Sequence, residues 1–167
     1  MNCLRTAVLP VIVAGALALA PAARPQTIPT GEALALAVEA SEAGDWTGAA
    51  SLAGQTRNPV AADIILWMRL RDGVGGWQEY EGFFARNASW PNLATLRRHA
   101  ERAMPADLPT EAVLSFFEAE SPLTGTGALR FASALAGAGR SDAAEAEILR
   151  AWRTLAMTGA EAATIAA

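Results

Sequence analysis

Apolar residues recur along this chain at intervals of three and four, the spacing that gathers them on one face of an α-helix. The stretch after Pro59 shows the pattern clearly, with Val60, Ala61, Ile64, Ile65 and Met68 on one face. Glycine and proline separate the apolar stretches, as they do at helix ends and beginnings. The pattern predicts helices over residues 31–43, 47–53, 59–72, 77–86, 91–104, 127–138 and 141–157, and one more that opens at Pro109.

A spacing repeats between the two ends of this helical region. Five residues recur with an offset of 95 positions: Leu34, Ala37, Ala43, Gly44 and Ala49 return as Leu129, Ala132, Ala138, Gly139 and Ala144. Each set describes a helix, an Ala-Gly turn and a second helix, with a small residue where the second helix packs close to the first. Short turns make neighbouring helices antiparallel. The expected fold is therefore all-α, a right-handed α-superhelix of antiparallel helical hairpins, that is, a tetratricopeptide-like solenoid.

Composition supports helix and excludes several protein classes. Hydrophobic residues make up 52 % of the 167 residues, alanine is abundant, and every basic residue is arginine. Alanine is the strongest helix former, and so apolar a chain with a net charge of −4 is not intrinsically disordered. The acidic balance disfavours a nucleic-acid partner. A single cysteine excludes a disulfide framework.

The amino-terminal residues match a secretory signal peptide. Arg5 precedes an apolar run over residues 7–20, which is followed by small residues. The run is shorter than the roughly 20 residues of a membrane-spanning helix, so no permanent membrane span is expected. We expect a signal peptide at 1–22, a linker at 23–30 and a helical domain at 31–167, in a protein exported to the periplasm.

Acidic side chains are the first candidates for chemistry. Glu120 and Ser121 precede a Gly-Thr-Gly run, superficially like a transglycosylase site, but Glu120 falls in a turn beside a proline. The pairs Glu79 with Glu81 and Glu118 with Glu120 are two residues apart, and such residues do not face each other on a helix. These carboxylates are interpreted as solvated surface.

The other polar candidates have equally plain interpretations. His99, the single histidine, lies among charged residues and is expected at the surface. One histidine without cysteine partners predicts no metal site. The glycine-rich residues 73–76 lack a phosphate-binding lysine and form a turn. Asn87 begins a glycosylation sequon that is given no weight in a chain of bacterial composition.

The five tryptophans are the remaining candidates. Indole rings stack on sugars in carbohydrate grooves, and they also fill gaps between helices. Trp67 and Trp152 lie on or beside apolar stripes and are expected in the core. Trp77 and Trp90 follow turns, and packing is favoured for them while a binding role stays open.

An ordered series of segments resembles the N-terminal superhelical (U-type) domain of soluble lytic murein transglycosylases from α-proteobacteria. The likeness extends over about residues 31–157. The segments that carry it are Ala43-Gly44-Asp45-Trp46 with Leu52-Ala53, Ile65 to Arg71, Tyr80 with Phe83 to Asn87, Trp90-Pro91 with Leu96 to Arg98 and Ala100-Glu101, Pro122 to Gly125 with Gly127 to Arg130, Ala138-Gly139-Arg140, and Ala151-Trp152-Arg153.

The resemblance implies a periplasmic enzyme family that cleaves the glycosyl bonds of peptidoglycan without water, leaving a 1,6-anhydro end. One glutamate of a C-terminal lysozyme-like domain performs the acid–base chemistry in that family. This chain stops at Ala167, before such a domain, so the helical region is expected to be incomplete and inactive alone. No catalytic, cofactor-binding or metal-binding residue is carried over.

Two functions follow from these residues. The first is the scaffold of a transglycosylase, with the glycan strand and the missing catalytic domain as partners. The alternative is a free-standing periplasmic helical-repeat adaptor that binds a protein or peptide. The last hairpin is expected to leave an apolar patch exposed at Leu149, Trp152, Leu155 and Ile165, because few residues follow it.

Overall fold

The computed structural model describes the chain from Thr30 to Ala166, and within that range it is helical without strands. The all-α expectation is therefore confirmed, whereas the signal peptide at 1–22 and residues 23–29 of the linker lie outside the described residues. The helices are α1 (Thr30–Glu42), α2 (Trp46–Gln55), α3 (Pro59–Arg71), α4 (Trp77–Arg86), α5 (Leu93–Ala103), α6 (Thr110–Phe117), α7 (Gly125–Gly137), α8 (Ser141–Thr154) and α9 (Gly159–Ala166).

The differences from the predicted helices lie at their ends. Helix α7 begins two residues early, because the Thr124 side chain accepts a hydrogen bond from the Gly127 N–H and caps the helix. Helix α8 ends at Thr154, before an extended Leu155, instead of continuing to 157. Helix α9 was not predicted. It begins with a capping box in which the Glu161 carboxylate accepts from the Thr158 N–H at 2.8 Å.

The 95-residue repeat corresponds to two hairpins with the same turn. Gly44 and Gly139 end α1 and α7 with φ of +78° and +75°. In each turn the next residue returns to the helix, Asp45 N–H to Ala40 O at 2.9 Å and Arg140 N–H to Leu135 O at 2.8 Å. These are the hydrogen bonds of a Schellman motif, which needs a left-handed residue at the glycine.

We expect Gly44→Ala and Gly139→Ala each to lower the free energy of unfolding by about 1–2 kcal/mol, the cost of a left-handed L-residue. No neighbouring atom would meet the added methyl group at either position, so the backbone alone sets the cost. Gly54→Ala is the matched control. It lies inside α2 with open space around it, and alanine there should stabilise by about 0.5–1 kcal/mol. Urea unfolding would contradict the assignment if all three variants changed in the same direction.

The main core lies between α3 and α7 and is aromatic. Tyr80 and Phe83 of α4 and Leu96 of α5 are fully buried, and the Tyr80 hydroxyl donates to Leu70 O at 3.1 Å. A second cluster joins α1, α2 and α3 through alanines and Ile65. Small side chains let these helices approach closely, whereas the aromatic cluster fills wider gaps.

Alternate helices contact one another along the chain. Helix α1 contacts α3, α3 contacts α5, α5 contacts α7, and α7 contacts α9. The even-numbered helices pack against their sequence neighbours, most extensively α2 on α1 and α8 on α7. None of the helices between Thr30 and Ala166 has the length and apolar character needed to cross a membrane.

Candidate functional site

The acidic candidates lie at the surface, as predicted, and are not brought together. Glu79 forms an ion pair with Arg69, and its other oxygen accepts from the Gly76 N–H at 3.0 Å, which caps α4. The Gly76 N–H and the Arg69 side chain lower the Glu79 pKa. Glu120 lies in the connection after α6, with one oxygen 3.4 Å from Arg97 Nε. These contacts give both carboxylates structural roles.

His99, expected at the surface, is half-buried, and Asn87 is buried. The His99 ring lies against the turn at Gly73, where an added Cβ would be 3.1 Å from the ring. Asn87 ends α4 and is only 6 % exposed. Its Nδ2 has no hydrogen-bond partner within the described residues. So buried a side chain is a poor glycan acceptor.

Trp152 corrects one sequence-based expectation. It was expected in the core and also in the exposed patch of the last hairpin. At 57 % exposed it contradicts the first expectation and confirms the second. The buried positions of α8 are Ala144, Glu147 and Ala151, so the inward face is centred about one residue away from the predicted stripe. Glu147 tolerates burial because Arg150 forms two hydrogen bonds to its carboxylate, at 2.6 and 2.7 Å. Ala151 therefore occupies the inward position that apolar spacing assigned to Trp152, and the paired Glu147 lies about one turn earlier on the same face.

The expected apolar patch at the last hairpin is present in part. Leu149 is 46 % exposed beside Trp152, and Leu155 is half-buried. The side chain of Ile165, the fourth expected member, lies outside the described residues.

A buried carboxylate at the start of α7 was not predicted. Glu101 of α5 has no exposed surface. It accepts hydrogen bonds from the Leu123 N–H at 2.9 and 3.0 Å and from the Thr124 hydroxyl at 2.6 Å, and Arg97 Nε lies 3.9 Å away. Anionic oxygens are favoured at a helix N-terminus, where N–H groups are unpaired. Glu101 thus joins α5 to the beginning of α7.

Burial raises the pKa of Glu101, opposed by the hydrogen bonds from Thr124 and Leu123 and by the Arg97 charge. Because this pKa is raised, Glu101 becomes protonated as the pH falls through it, and the free-energy cost of burying its charge is then removed. Glu161 behaves in the opposite way: the Thr158 N–H is the main cause of its lowered pKa. Its stabilising contribution is present above the ordinary carboxyl pKa and is lost as the pH falls through the lowered value.

The glycines around this junction leave room for the two carboxylates. A Cβ at Gly125 would lie 2.7 Å from the Glu161 carboxylate, and one at Gly127 would overlap Glu101 Oε2. The Thr126 hydroxyl also donates to Glu161 Oε1 at 2.8 Å. The Gly-Thr-Gly run that superficially resembled a catalytic motif therefore serves to pack helices α5, α7 and α9 together.

A cleft of about 460 Å³ lies between α3 and the α4–α5 connection. Its volume falls within the range of ligand pockets. The Trp67 and Trp90 rings are 6.4 Å apart and inclined at 55°. Trp67 Nε1 donates to Pro91 O at 3.0 Å, and Trp90 packs edge-on against Phe83 at 5.5 Å.

The lining of this cleft is uncharged. It consists of Val60, Ile64, Trp67, Ser89, Trp90 and Pro91. Val60 is 53 % exposed and Ser89 and Pro91 are exposed, so the cleft opens to solvent. Trp90, whose role the sequence left open, thus both packs on the core and lines the cleft.

No group of three or more potential metal ligands occurs among the described residues. No protein-family model, curated protein or solved structure matches this chain.

Proposed function

We propose that this chain is the non-catalytic helical scaffold of a periplasmic peptidoglycan lytic transglycosylase, which holds the murein glycan strand while a separate domain cleaves it. One observation carries the proposal: three of the segments that resemble this family fall at helix ends that set how consecutive hairpins pack. Ala43 to Trp46 form the α1–α2 turn, Pro122 to Gly125 hold the start of α7, and Ala138 to Arg140 form the α7–α8 turn.

The proposed architecture is a right-handed superhelix of hairpins. The contacts between successive odd-numbered helices support it, because in a solenoid each repeat packs on the next along one layer. Such a layer offers an extended surface to a long polymer, which suits a glycan strand.

The test uses purified peptidoglycan sacculi from which bound proteins have been stripped. We expect the purified chain to sediment with the sacculi and to release no 1,6-anhydro-muropeptides, as measured by chromatography of the soluble fraction. An active lytic transglycosylase is the positive control. Release of anhydro-muropeptides that disappears in Glu120→Gln would contradict the non-catalytic role and assign the chemistry to Glu120.

The second candidate function is a periplasmic adaptor for a protein or peptide. The exposed Leu149 and Trp152 on α8 favour it, since adjacent large apolar side chains at a surface mark interaction sites. The same experiment separates the two, because an adaptor of this kind should stay in solution when only stripped sacculi are offered. If the purified chain does not sediment with the sacculi, the adaptor is the better proposal.

A further inference from the structure

We infer that the cleft lined by Trp67 and Trp90 binds the pyranose ring of an uncharged N-acetylated amino sugar. This inference rests on the proposed function and names the part of the glycan strand that the scaffold holds. It depends on three properties of the cleft: fixed indole rings, a neutral lining and an open rim.

The indole rings are held in place before any ligand arrives. The hydrogen bond from Trp67 Nε1 to Pro91 O joins the middle of α3 to the α4–α5 connection. Phe83, which is fully buried, supports Trp90 from the core. Binding to rings already fixed costs little side-chain entropy, so even a modest stacking energy contributes to affinity.

The inclination of the two rings suits a sugar. With centroids 6.4 Å apart and an inclination of 55°, the rings contact each other and both line the cleft, so a sugar would lie on them and not between them. A pyranose carries an apolar face of C–H groups, and its N-acetyl group adds a methyl. These apolar parts match indole walls, while the hydroxyl groups remain at the open rim beside the exposed Ser89.

The charges around the cleft favour a neutral ligand. Asp63 and Arg86 lie 3.6 Å apart and neutralise each other. The Arg71 guanidinium lies over the Trp67 ring, 5.0 Å from its centroid, and 3.4 Å from Asp72. With nearby charges paired and no charge in the lining, the cleft offers no partner for an ionic group of a ligand.

Chitotetraose is the probe, because it presents N-acetylglucosamine rings without peptide or charge. We expect its addition to shift the indole N–H resonances of Trp67 and Trp90 in NMR spectra of the full chain. Trp152, which is exposed and not part of the cleft lining, is the internal control and should not shift. Equal shifts at Trp152, or none at Trp67 and Trp90 at millimolar sugar, would overturn the inference.

A matched pair of variants tests the cleft itself. Val60→Glu places a charge at its rim in the first turn of α3, where an acidic residue suits the helix dipole. Val74→Glu adds the same charge at a valine that is 44 % exposed and outside the lining. We expect Val60→Glu to weaken chitotetraose binding by roughly tenfold or more and Val74→Glu to leave it unchanged. Equal affinity of the two variants would contradict the site.

The outcomes separate this inference from the proposed function. If Val60→Glu sediments with sacculi as well as the unchanged chain does, the cleft is not the glycan site although the scaffold function stands. If the unchanged chain binds chitotetraose but not sacculi, the sugar site stands and the murein scaffold fails. A proline-rich peptide that shifts Trp67 and Trp90 where chitotetraose does not would assign the cleft to a peptide and overturn the inference.

Discussion

Glu101→Ala should lower the free energy of unfolding by about 2–5 kcal/mol, because it leaves two hydrogen-bond donors without their acceptor at a cost of about 1–3 kcal/mol each. The substitution leaves the Leu123 N–H and the Thr124 hydroxyl without the carboxylate that accepts from them, whereas Arg97 keeps Glu120 as a partner at 3.4 Å. It also removes the link between α5 and the start of α7. Urea unfolding followed by circular dichroism measures the change.

The control is Glu118→Ala, which truncates an exposed glutamate in the connection after α6. It should change stability by no more than about 0.5 kcal/mol. If both variants lost the same small amount, the Glu101 network would contribute nothing specific to the fold.

Gly127→Ala is a second test of the contact between Glu101 and the start of α7. Its methyl group would overlap Glu101 Oε2, which accepts hydrogen bonds from the Leu123 N–H and the Thr124 hydroxyl. When Glu101 is present, the substitution should therefore lower the free energy of unfolding by about 1–3 kcal/mol. In the Glu101→Ala background the overlap is absent, so the added cost should largely disappear. Additive effects of the two substitutions would contradict the proposed contact.

Phe83→Ala should also lower the free energy of unfolding by about 3–5 kcal/mol, as expected for a fully buried phenylalanine. Phe83 lies in the aromatic core and contacts the Trp90 ring edge-on. Leu149→Ala truncates a side chain that is 46 % exposed and should cost less than about 0.5 kcal/mol. Equal losses in the two variants, measured by thermal or urea unfolding, would mean that this core is not formed.

Most of what the sequence predicts of the fold depends on residues that lie close together in the chain. Pro59 after Asn58, Gly73 after Asp72 and the Ala-Gly turns at 44 and 139 determine where helices begin and end through their own backbone geometry. Such signals act within a few residues, so they can be recognised without knowing the tertiary structure. Helix α9 escaped prediction because its small residues give little apolar periodicity, and its start depends on the Thr158–Glu161 capping box.

The junction at α7 could not be predicted because its parts are distant in sequence. Glu101 lies among Arg97, Arg98 and Arg102, a setting typical of an exposed helix face. Its partners, the half-buried Leu123 and the buried Thr124, follow more than 20 residues later. The run of small residues from Gly125 to Gly127 was the available signal, since glycines at a helix start leave space for another group. The sequence did not indicate which group.

From the sequence, the cleft could be recognised only as two tryptophans with no indication that they lie together. Trp67 lies on α3 and Trp90 in the connection before α5, and their pairing depends on how α3 and α5 contact each other. Apolar spacing predicts that each indole packs. It does not predict that both retain a surface on the same cleft, which is a property of the assembled helices.

The long-range hydrogen bonds of Glu101 also imply an order of folding. The α1–α2 and α7–α8 hairpins consist of contacts close in sequence, which form quickly because little chain entropy is lost in closing them. The Thr124 hydroxyl, in contrast, meets its carboxylate only after α5 has docked, and Arg150 reaches Pro122 O across 28 residues. We therefore expect the two end hairpins to form first and the α5–α7 junction to close last, as the step that makes separate hairpins one cooperative unit.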